Sequence, residues 1–282
     1  MSQRNQSQLN NLRKFKMYPL ILNKVFNHTW LIEPETHKAI QQTLLSHIQD
    51  NDIKLNHGSV SSQDDKPYYL AGDTAIINMF GVVGKYLSNL EMACGGLSLD
   101  SSLNLIEKAA ADSEVKNILL NFDSPGGTDT GVFEFSKRLS DLTQLKPIYA
   151  FTETKMCSAA YWMASKCTGI IATPSAKVGS IGVYMAMLDS SQKSEREGVK
   201  MYLFEAGKHK AVGLRPPTEE EVKMIQKRVD DLHTQFKTEV NEKRAISDEY
   251  MEGLVYSGQE TIESGLVDSL VYSLSEALEI IK

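Results

Sequence analysis

Long apolar runs, paired cysteines and dense basic blocks are all missing from this sequence. No stretch reaches the roughly 18 consecutive apolar residues that a membrane-spanning helix needs. The three cysteines form no Cys-x-x-Cys pair, which favours free thiols in a reducing compartment over a disulfide framework. A net charge of −6 without a Lys/Arg cluster argues against nucleic acid as the main partner. The sequence therefore predicts a soluble, cytoplasmic protein that binds neither membrane nor nucleic acid.

Signatures of bound metals and cofactors are missing as well. The chain has no His-Glu-x-x-His motif, no Cys/His ligand cluster and no phosphate-binding loop. We therefore predict that the protein uses neither a metal nor a cofactor. What the chain does have is 282 residues with 41% hydrophobic content, enough for a large domain with its own core.

The N-terminal part of the chain differs in composition from the rest. Residues 1–16 are polar, and residues 17–50 are predicted to form a helical arm from the spacing of their apolar residues. Residues 51–67, rich in Asp, Asn, Ser and Gln, are typical of a linker. We therefore assign residues 1–67 to a tail, arm and linker, and residues 68–282 to the main domain.

Strands and helices are expected to alternate from residue 73 onward. This alternation indicates βαβ units, a parallel sheet and the α/β class. The predicted strands are 73–83, 116–122, 147–151, 169–173 and 180–187, and the predicted helices are about 100–112, about 130–142 and a segment beginning near Ser158. A long amphipathic helix is predicted after Pro216 and Pro217, because apolar residues recur every three or four positions from Val222 to Val240.

A glycine pair follows the second of these strands. In 121-NFDSPGGTDTG-131 the strand leads into Pro125, Gly126 and Gly127 just before a helix. Unpaired N–H groups at such a position can bind an anion or, opposite a nucleophile, form an oxyanion hole. A plain tight turn would use the same residues, so this motif alone does not decide between the two interpretations.

Ser158 is a candidate nucleophile. In 156-MCSAAYWMA-164 it stands between a buried-looking strand and an Ala-rich helix, where the helix dipole favours developing negative charge. The same position also suits an ordinary N-cap serine. The neighbouring Cys157 is a rival nucleophile, but a catalytic cysteine usually needs a histidine, and the nearest downstream histidine is His209.

A serine nucleophile needs a base, and two lysines are candidates. Four of the six histidines lie in the predicted arm and linker, so a Ser-Lys dyad is more economical than a Ser-His-Asp triad. In 205-EAGKHKAVG-213, Lys210 and Lys208 lie in a glycine-flanked loop, where either could also be a solvated surface charge. In 178-VGSIGV-183, Ser180 could hold the lysine side chain through a hydrogen bond, or it could mark a β-bulge.

Taken in order, these motifs resemble the signal peptide peptidase A family of Ser-Lys peptidases. The order is SPGG, CSAA, GSIGV, GKHKAVG and then 256-YSGQETIESGLVDSL-270. The resemblance extends from about Thr74 to about Leu270, which is most of the chain. It implies a crotonase-like or Clp-like spiral of βαβ units, preceded here by the N-terminal helical arm.

The resemblance also assigns roles to individual residues. By motif position it makes Ser158 the nucleophile, Lys210 the general base, Ser180 the hydroxyl that positions the lysine, and Gly126 and Gly127 the oxyanion hole. Lys210 is preferred to Lys208 because it precedes Gly213 by three positions, as the family lysine precedes a glycine. A substrate would add as a strand along a groove that includes Ser124, Pro125, Gly182 and Val183.

A closer resemblance is to the phage minor capsid proteins of the lambda C type. It rests on 25-VFNHTWLIEPETHKAI-40, on the CSA and GKHK motifs, and on 256-YSGQE-260. Members of that branch act inside the procapsid, where they degrade scaffold and trim head proteins. The resemblance implies protein or peptide substrates, location in the host cytoplasm and phage procapsid, and a homo-oligomer. Branch members often continue into a scaffold segment, which we expect to lie outside a sequence that ends at Lys282.

Two other hypotheses stay open. One is a non-catalytic, capsid-associated protein that binds scaffold or portal on the same fold; the presence of both Ser158 and Lys210 argues against it. The other is a crotonase-type acyl-CoA enzyme, whose fold also uses a glycine-amide oxyanion hole. That hypothesis leaves the combination of Ser158, Lys210 and Ser180 unexplained.

Overall fold

The computed structural model describes residues 29–49, 68–88, 91–92, 94–187, 191–196, 198 and 200–282. The chain forms two compact units. The helical unit contains the described parts of Glu35–Leu55 and Tyr184–Leu232, and the sheet unit contains Trp30–Pro34, the described parts of Asn56–Val183, and His233–Lys282. The predicted boundary at residues 67 and 68 falls at the edge of a described range and stays a prediction.

Most strands are short, and the long ones belong to the sheet unit. The strands are β1 (Thr29–Ile32), β2 (Tyr69–Ala71), β3 (Thr74–Phe80), β4 (Val82–Gly84), β5 (Gly96–Ser98), β6 (Asn117–Ser124), β7 (Gly126–Thr128), β8 (Ile148–Cys157), β9 (Gly169–Ala172), β10 (Lys177–Gly179), β11 (Tyr184–Met185), β12 (Val255–Tyr256) and β13 (Ser269–Leu270).

Helices connect and flank these strands. They are α1 (Pro34–Gln49), α2 (Leu99–Ala111), α3 (Val132–Leu142), α4 (Ala159–Ala164), α5 (Ser191–Arg196), α6 (Glu219–Asn241), α7 (Gln259–Glu263) and α8 (Leu274–Ile280), with a 3-10 turn at Asp248–Met251. None of the helices within the described ranges is both long enough and apolar enough to cross a membrane.

The main sheet is built on three long parallel strands, β3, β6 and β8. Leu119 of β6 pairs with Ile76 on one side and with Tyr149 on the other. Ile118, Leu119 and Leu120 are all fully buried, as expected of a parallel strand that is covered on both faces. Strands β9 and β10 pair in parallel with β8. The predicted α/β class with a parallel sheet is therefore confirmed.

A second, smaller sheet contains β1, β7, β4 and β5 in that order. Gly81 separates β3 from β4, and its φ of +104° is a conformation that glycine adopts without strain. A Cβ at Gly81 would lie 2.1 Å from the carbonyl oxygen of Gly95. The chain therefore leaves the main sheet at Gly81 and enters the smaller sheet as β4.

The C-terminal part of α6 packs against α4 within the sheet unit. The Trp162 ring stacks on Phe236 with centroids 4.6 Å apart. The buried ammonium group of Lys166 lies 2.7 Å from the Glu239 carboxylate and 2.6 Å from that of Glu242. An apolar stack and a compensated buried charge thus hold the helix that follows Ser158.

Two sequence predictions about these elements were wrong. Residues 180–187 do not form one strand: β10 ends at Gly179, and Ser180 has φ +52°, which a strand residue does not adopt. The arm predicted at 17–50 includes α1 but also β1, whose Thr, Trp, Leu and Ile residues favour a strand once a partner edge is present. Residues 17–28 and 51–67 lie outside the described residues.

Candidate active site

Ser158 lies on a sharp turn between β8 and α4. Its φ of +55° and ψ of −120° are unusual for a residue with a side chain. The Ser158 N–H donates to the carbonyl oxygen of Gly179 at 2.8 Å, and its own carbonyl accepts the N–H of Trp162 at 2.9 Å. A strained strand-to-helix turn of this kind is typical of a nucleophilic serine.

The hydroxyl of Ser158 does not cap the helix. It makes no capping hydrogen bond, although Ser158 holds the N-cap position of α4. Ser158 is 1% exposed, and its Oγ has no hydrogen-bond partner within the described part of the chain. A buried hydroxyl without a partner costs about 1–3 kcal/mol, so its presence calls for another explanation than folding stability.

Gly126 and Gly127 lie directly beside this serine. A Cβ at Gly126 would be 2.9 Å from Ser158 Cβ and 3.0 Å from the Ala159 nitrogen. A Cβ at Gly127 would be 2.0 Å from the Val83 carbonyl oxygen. Only glycine fits at either position, and Gly126 lies next to the first amide of α4. That amide has no partner within its helix and can donate to an oxyanion.

Ser180 lies close to Ser158 because its neighbour Gly179 is hydrogen-bonded to Ser158. Ser180 is buried, and its N–H donates to the carbonyl oxygen of Leu254 at 2.7 Å. Because Gly179 accepts the Ser158 N–H, Ser158 and Ser180 lie one backbone hydrogen bond apart. Sequence motifs 22 residues apart thus meet at the carboxyl ends of the parallel strands β8 and β10.

The predicted groove residues divide into two groups. Ser124 is buried, and its hydroxyl donates to Gly81 O at 2.6 Å, while the Pro125 carbonyl accepts the Glu33 N–H at 2.9 Å. Gly182 and Val183 are half-buried. The edge at Ser124–Thr128 is paired with β1, a neighbour that the sequence did not predict.

Lys210 belongs to the helical unit, so its pairing with Ser158 stays a prediction. Its N–H donates to Gly207 O at 3.0 Å, and its side chain is exposed and has no ion pair among the described residues. Lys208 Nζ donates to both carboxylate oxygens of Glu220, at 2.7 Å to Oε1 and 2.5 Å to Oε2. His209 lies 3.4 Å from Glu221 Oε1, so it is held by an acid rather than directed at a nucleophile.

Glu221 is the most strongly bound acid of the helical unit. The Arg215 guanidinium donates to both of its carboxylate oxygens, at 2.7 and 3.0 Å, and the Thr218 N–H donates at 2.8 Å. These hydrogen bonds, that of Arg215 first, hold the pKa of the Glu221 carboxyl well below its usual range. The Gly207–Lys210 turn is therefore followed by a rigid, ion-paired start of α6.

Cys157 does not fit the role of rival nucleophile. Its side chain is fully buried and donates to the Lys177 carbonyl oxygen at 3.5 Å. Burial, followed by the nearby charge of Glu33, raises the pKa of the Cys157 thiol to about 12. Almost no thiolate exists at neutral pH under those conditions, and the thiolate is the reactive form.

A metal site in a protein is usually a group of three or more acidic, histidine or cysteine side chains. No such group occurs within the ranges that the structure describes.

A buried serine on a strained strand-to-helix turn beside a glycine pair is typical of hydrolases that use a serine nucleophile. Residues 140–280, half of the chain, match the model of peptidase family S49. The chain belongs to this family of serine peptidases, which confirms the resemblance inferred from its motifs.

Phage proteins are among its relatives. The chain is 30% identical over 218 residues to the head-tail preconnector protein GP5 of Enterobacteria phage P21, covering 76% of this chain and 43% of that protein. It is 30% identical over 226 residues to the capsid assembly protease C of Escherichia phage lambda, covering 76% and 51%. The chain thus spans about half the length of the curated relatives it matches.

Proposed function

We propose that this chain is a serine endopeptidase with a Ser-Lys dyad, and that it matures a phage procapsid by cleaving scaffold and head proteins. The observation that carries the proposal is Ser158 itself. It combines a strained backbone, a buried hydroxyl without a partner among the described residues, and a glycine edge beside the first amide of α4. Folding stability does not account for the first two, whereas nucleophilic catalysis uses all three.

In the proposed mechanism, neutral Lys210 takes the proton of Ser158, and the oxygen attacks a peptide carbonyl. The amide of Gly126 or Gly127, together with that of Ala159, stabilises the resulting oxyanion. The tetrahedral intermediate collapses to an acyl-enzyme when the lysine ammonium returns its proton to the leaving amine. Water then hydrolyses the ester by the same route, with Lys210 again as base.

The choice of Lys210 over Lys208 has support from their surroundings. Lys208 donates to the Glu220 carboxylate, so its ammonium group is already held by a partner. Lys210 has no such partner among the described residues, but its side chain is exposed in the single chain. A lysine becomes a base near neutral pH only when it loses water, so a substrate or a second subunit must cover it. Ser180 would then fix its rotamer.

Substrate binding is proposed to use the edge of the smaller sheet. An extended peptide would pair with the Ser124–Thr128 segment, and Gly182 and Val183 would border the groove on its other side. Backbone pairing supplies affinity in this mode, while shallow pockets read alternate side chains. We propose a crotonase/Clp-like spiral of βαβ units, as the family implies, for the fold that carries this groove.

Assembly into a homo-oligomer and the phage setting complete the proposal. The segment Met201–Phe204 of the helical unit is apolar and exposed, with Phe204 93% accessible in the single chain. Such a patch is typical of a protein–protein interface. The two phage relatives, one of them a capsid assembly protease, support a procapsid setting and protein substrates.

The test compares wild type with Ser158→Ala, Lys210→Ala and Lys208→Ala, each co-expressed with the scaffold protein encoded beside it. Cleavage read by intact mass is expected to fall at least about a thousandfold in the first two variants and to persist in the third. Ser165→Ala is the matched control, because Ser165 is buried in the same region but donates to Trp162 O at 2.7 Å. Fragments that persist in Ser158→Ala would refute the nucleophile. Scaffold binding without cleavage by any form would favour the non-catalytic alternative.

A further inference from the structure

The strand edge beside Ser158 is already occupied by the chain's own β1. One side of β7 pairs with β4, through Val83 and Gly127, and the other side pairs antiparallel with Trp30–Ile32. A strand has only two hydrogen-bonding edges. An extended peptide therefore cannot add to β7 while β1 is in place.

The carbonyl oxygen of Leu31 lies beside Gly126, close to Ser158 and the first amide of α4. The point where Gly126 would carry a Cβ lies 2.1 Å from Leu31 O, 2.9 Å from Ser158 Cβ and 3.0 Å from the Ala159 nitrogen. These three groups therefore surround one small space. A peptide carbonyl next to the serine and the helix-start amide is what a bound substrate would present. Leu31 is fully buried, and Ser158 is nearly so.

Glu33 fastens the end of β1. Its N–H donates to Pro125 O at 2.9 Å, and its carboxylate lies 3.4 Å from Lys155 Nζ and 3.9 Å from Lys177 Nζ. Lys155 and Lys177 are register partners on β8 and β10, so their like charges adjoin and one carboxylate serves both. Ion pairs to two partly exposed lysines are individually weak and sensitive to salt. The ion-pair part of this attachment therefore weakens as the salt concentration rises.

We propose that Trp30–Glu33 is an internal pseudosubstrate strand that keeps the Ser158 site latent until the strand is displaced. The proposal rests on the peptidase function proposed above and concerns its regulation. Release exposes the edge of β7, the Ser158 hydroxyl and the paired lysines together. A scaffold segment that carries an acidic residue can then take the place of Glu33.

The test measures how fast a small fluorophosphonate, which reacts covalently with nucleophilic serines, labels Ser158 in the full chain. Labelling is located by peptide mass mapping in wild type, in Glu33→Ala, and in a Trp30→Cys/Thr128→Cys pair that carries Cys94→Ser to remove an exposed thiol. Trp30 and Thr128 are register partners, so a disulfide between them ties β1 to β7. The reduced form of the same variant controls for loss of the Trp30 side chain.

We expect Glu33→Ala to label about three- to tenfold faster than wild type. The oxidised double variant should not label, and reduction should restore labelling. Glu107→Ala, which removes an exposed ion pair to Arg138 in the same unit, should label like wild type. Equal labelling of Ser158 in all forms, or failure of the disulfide to form, overturns the pseudosubstrate strand and leaves the nucleophile intact. No labelling of Ser158 in any form, reduced and Glu33→Ala included, overturns the proposed function and the strand together.

Discussion

The surroundings of Ser158 and those of Lys210 are opposites. Ser158 is buried in the sheet unit, its backbone is fixed by hydrogen bonds to Gly179 and Trp162, and glycine leaves no spare space beside it. Lys210 lies in a turn of the helical unit with its side chain in water, near the exposed Met201–Phe204 segment. One half of the proposed dyad is thus preorganised within a single chain, and the other half is not.

This difference indicates which part of the proposed dyad limits the reaction. In the proposed mechanism, the preorganised amides and the fixed serine need no further rearrangement once β1 has left the edge of β7. An exposed lysine, by contrast, must lose water before it can accept a proton. We therefore propose that one chain holds Ser158 ready for reaction, and that binding or assembly completes the surroundings of Lys210.

The tight packing around Ser158 can be tested by a substitution at Gly126. Gly126→Ala forces a Cβ against Leu31 O and Ser158 Cβ at a φ of +97°, so we expect a loss of about 3 kcal/mol or more in unfolding free energy, together with loss of activity. Gly72→Ala is the matched control, because Gly72 also has a positive φ, +66°, but open space around it. Its expected cost is about 1 kcal/mol, with activity kept. Equal costs in urea unfolding would show that the site is not tightly packed.

A buried lysine and an exposed lysine should differ in how much they contribute to the free energy of unfolding. Lys166→Met leaves two carboxylates without their buried partner and should cost about 3 kcal/mol in unfolding free energy. Lys227→Met removes an exposed i,i+4 pair with Asp231 on the same helix and should cost about 0.5 kcal/mol or less. Similar values for the two variants in chemical denaturation would contradict the buried ion-pair assignment.

The same lysine predicts the direction of a pH effect. The hydrogen bond from Lys166 lowers the pKa of the Glu242 carboxyl below its ordinary value of 4.5. A carboxyl whose pKa is lowered by folding stabilises the folded state above its ordinary pKa, and this contribution is lost as the pH falls through the lowered value. The stability difference between wild type and Lys166→Met should therefore be full at neutral pH and narrow below pH 4.5. A stability difference between the two proteins that grows as the pH falls would contradict this direction.

The exposed Met201–Phe204 segment can be tested by a substitution at Phe204. Among these predictions, this one has the smallest expected effect on the free energy of unfolding. Phe204→Asp should leave unfolding unchanged and weaken self-association at least about tenfold, because an interface aromatic is lost and a charge gained. Tyr272→Asp, at an 83% exposed aromatic of the sheet unit, is the matched control. Sedimentation velocity over a concentration series separates the two. If both variants self-associate as strongly as wild type, Met201–Phe204 is not part of the interface.

Sequence patterns predicted the local elements of this fold better than its long-range pairings. The alternation of strands and helices, the glycine turn at Gly126 and the strand-to-helix position of Ser158 are all encoded within short windows. The pairing of β1 with β7 joins segments far apart in the chain, so a four-residue apolar stretch next to a helix did not reveal it. The burial of Lys166 depends on acids 73 and 76 residues away. The strand predicted at 180–187 was wrong because Ser180 adopts a backbone conformation that its residue type does not predict.

The positive φ angles of Ser158 and Ser180 bear on how such a protein could lose its function during evolution. A serine in this conformation costs stability of the order of 1–3 kcal/mol, and glycine relieves that strain. A single Ser→Gly change would therefore delete a hydroxyl from the site and make the chain more stable. Once selection for cleavage ends, drift favours such a change over alanine, which keeps the strain. We expect inactive descendants of this chain to carry glycine at one of these two positions.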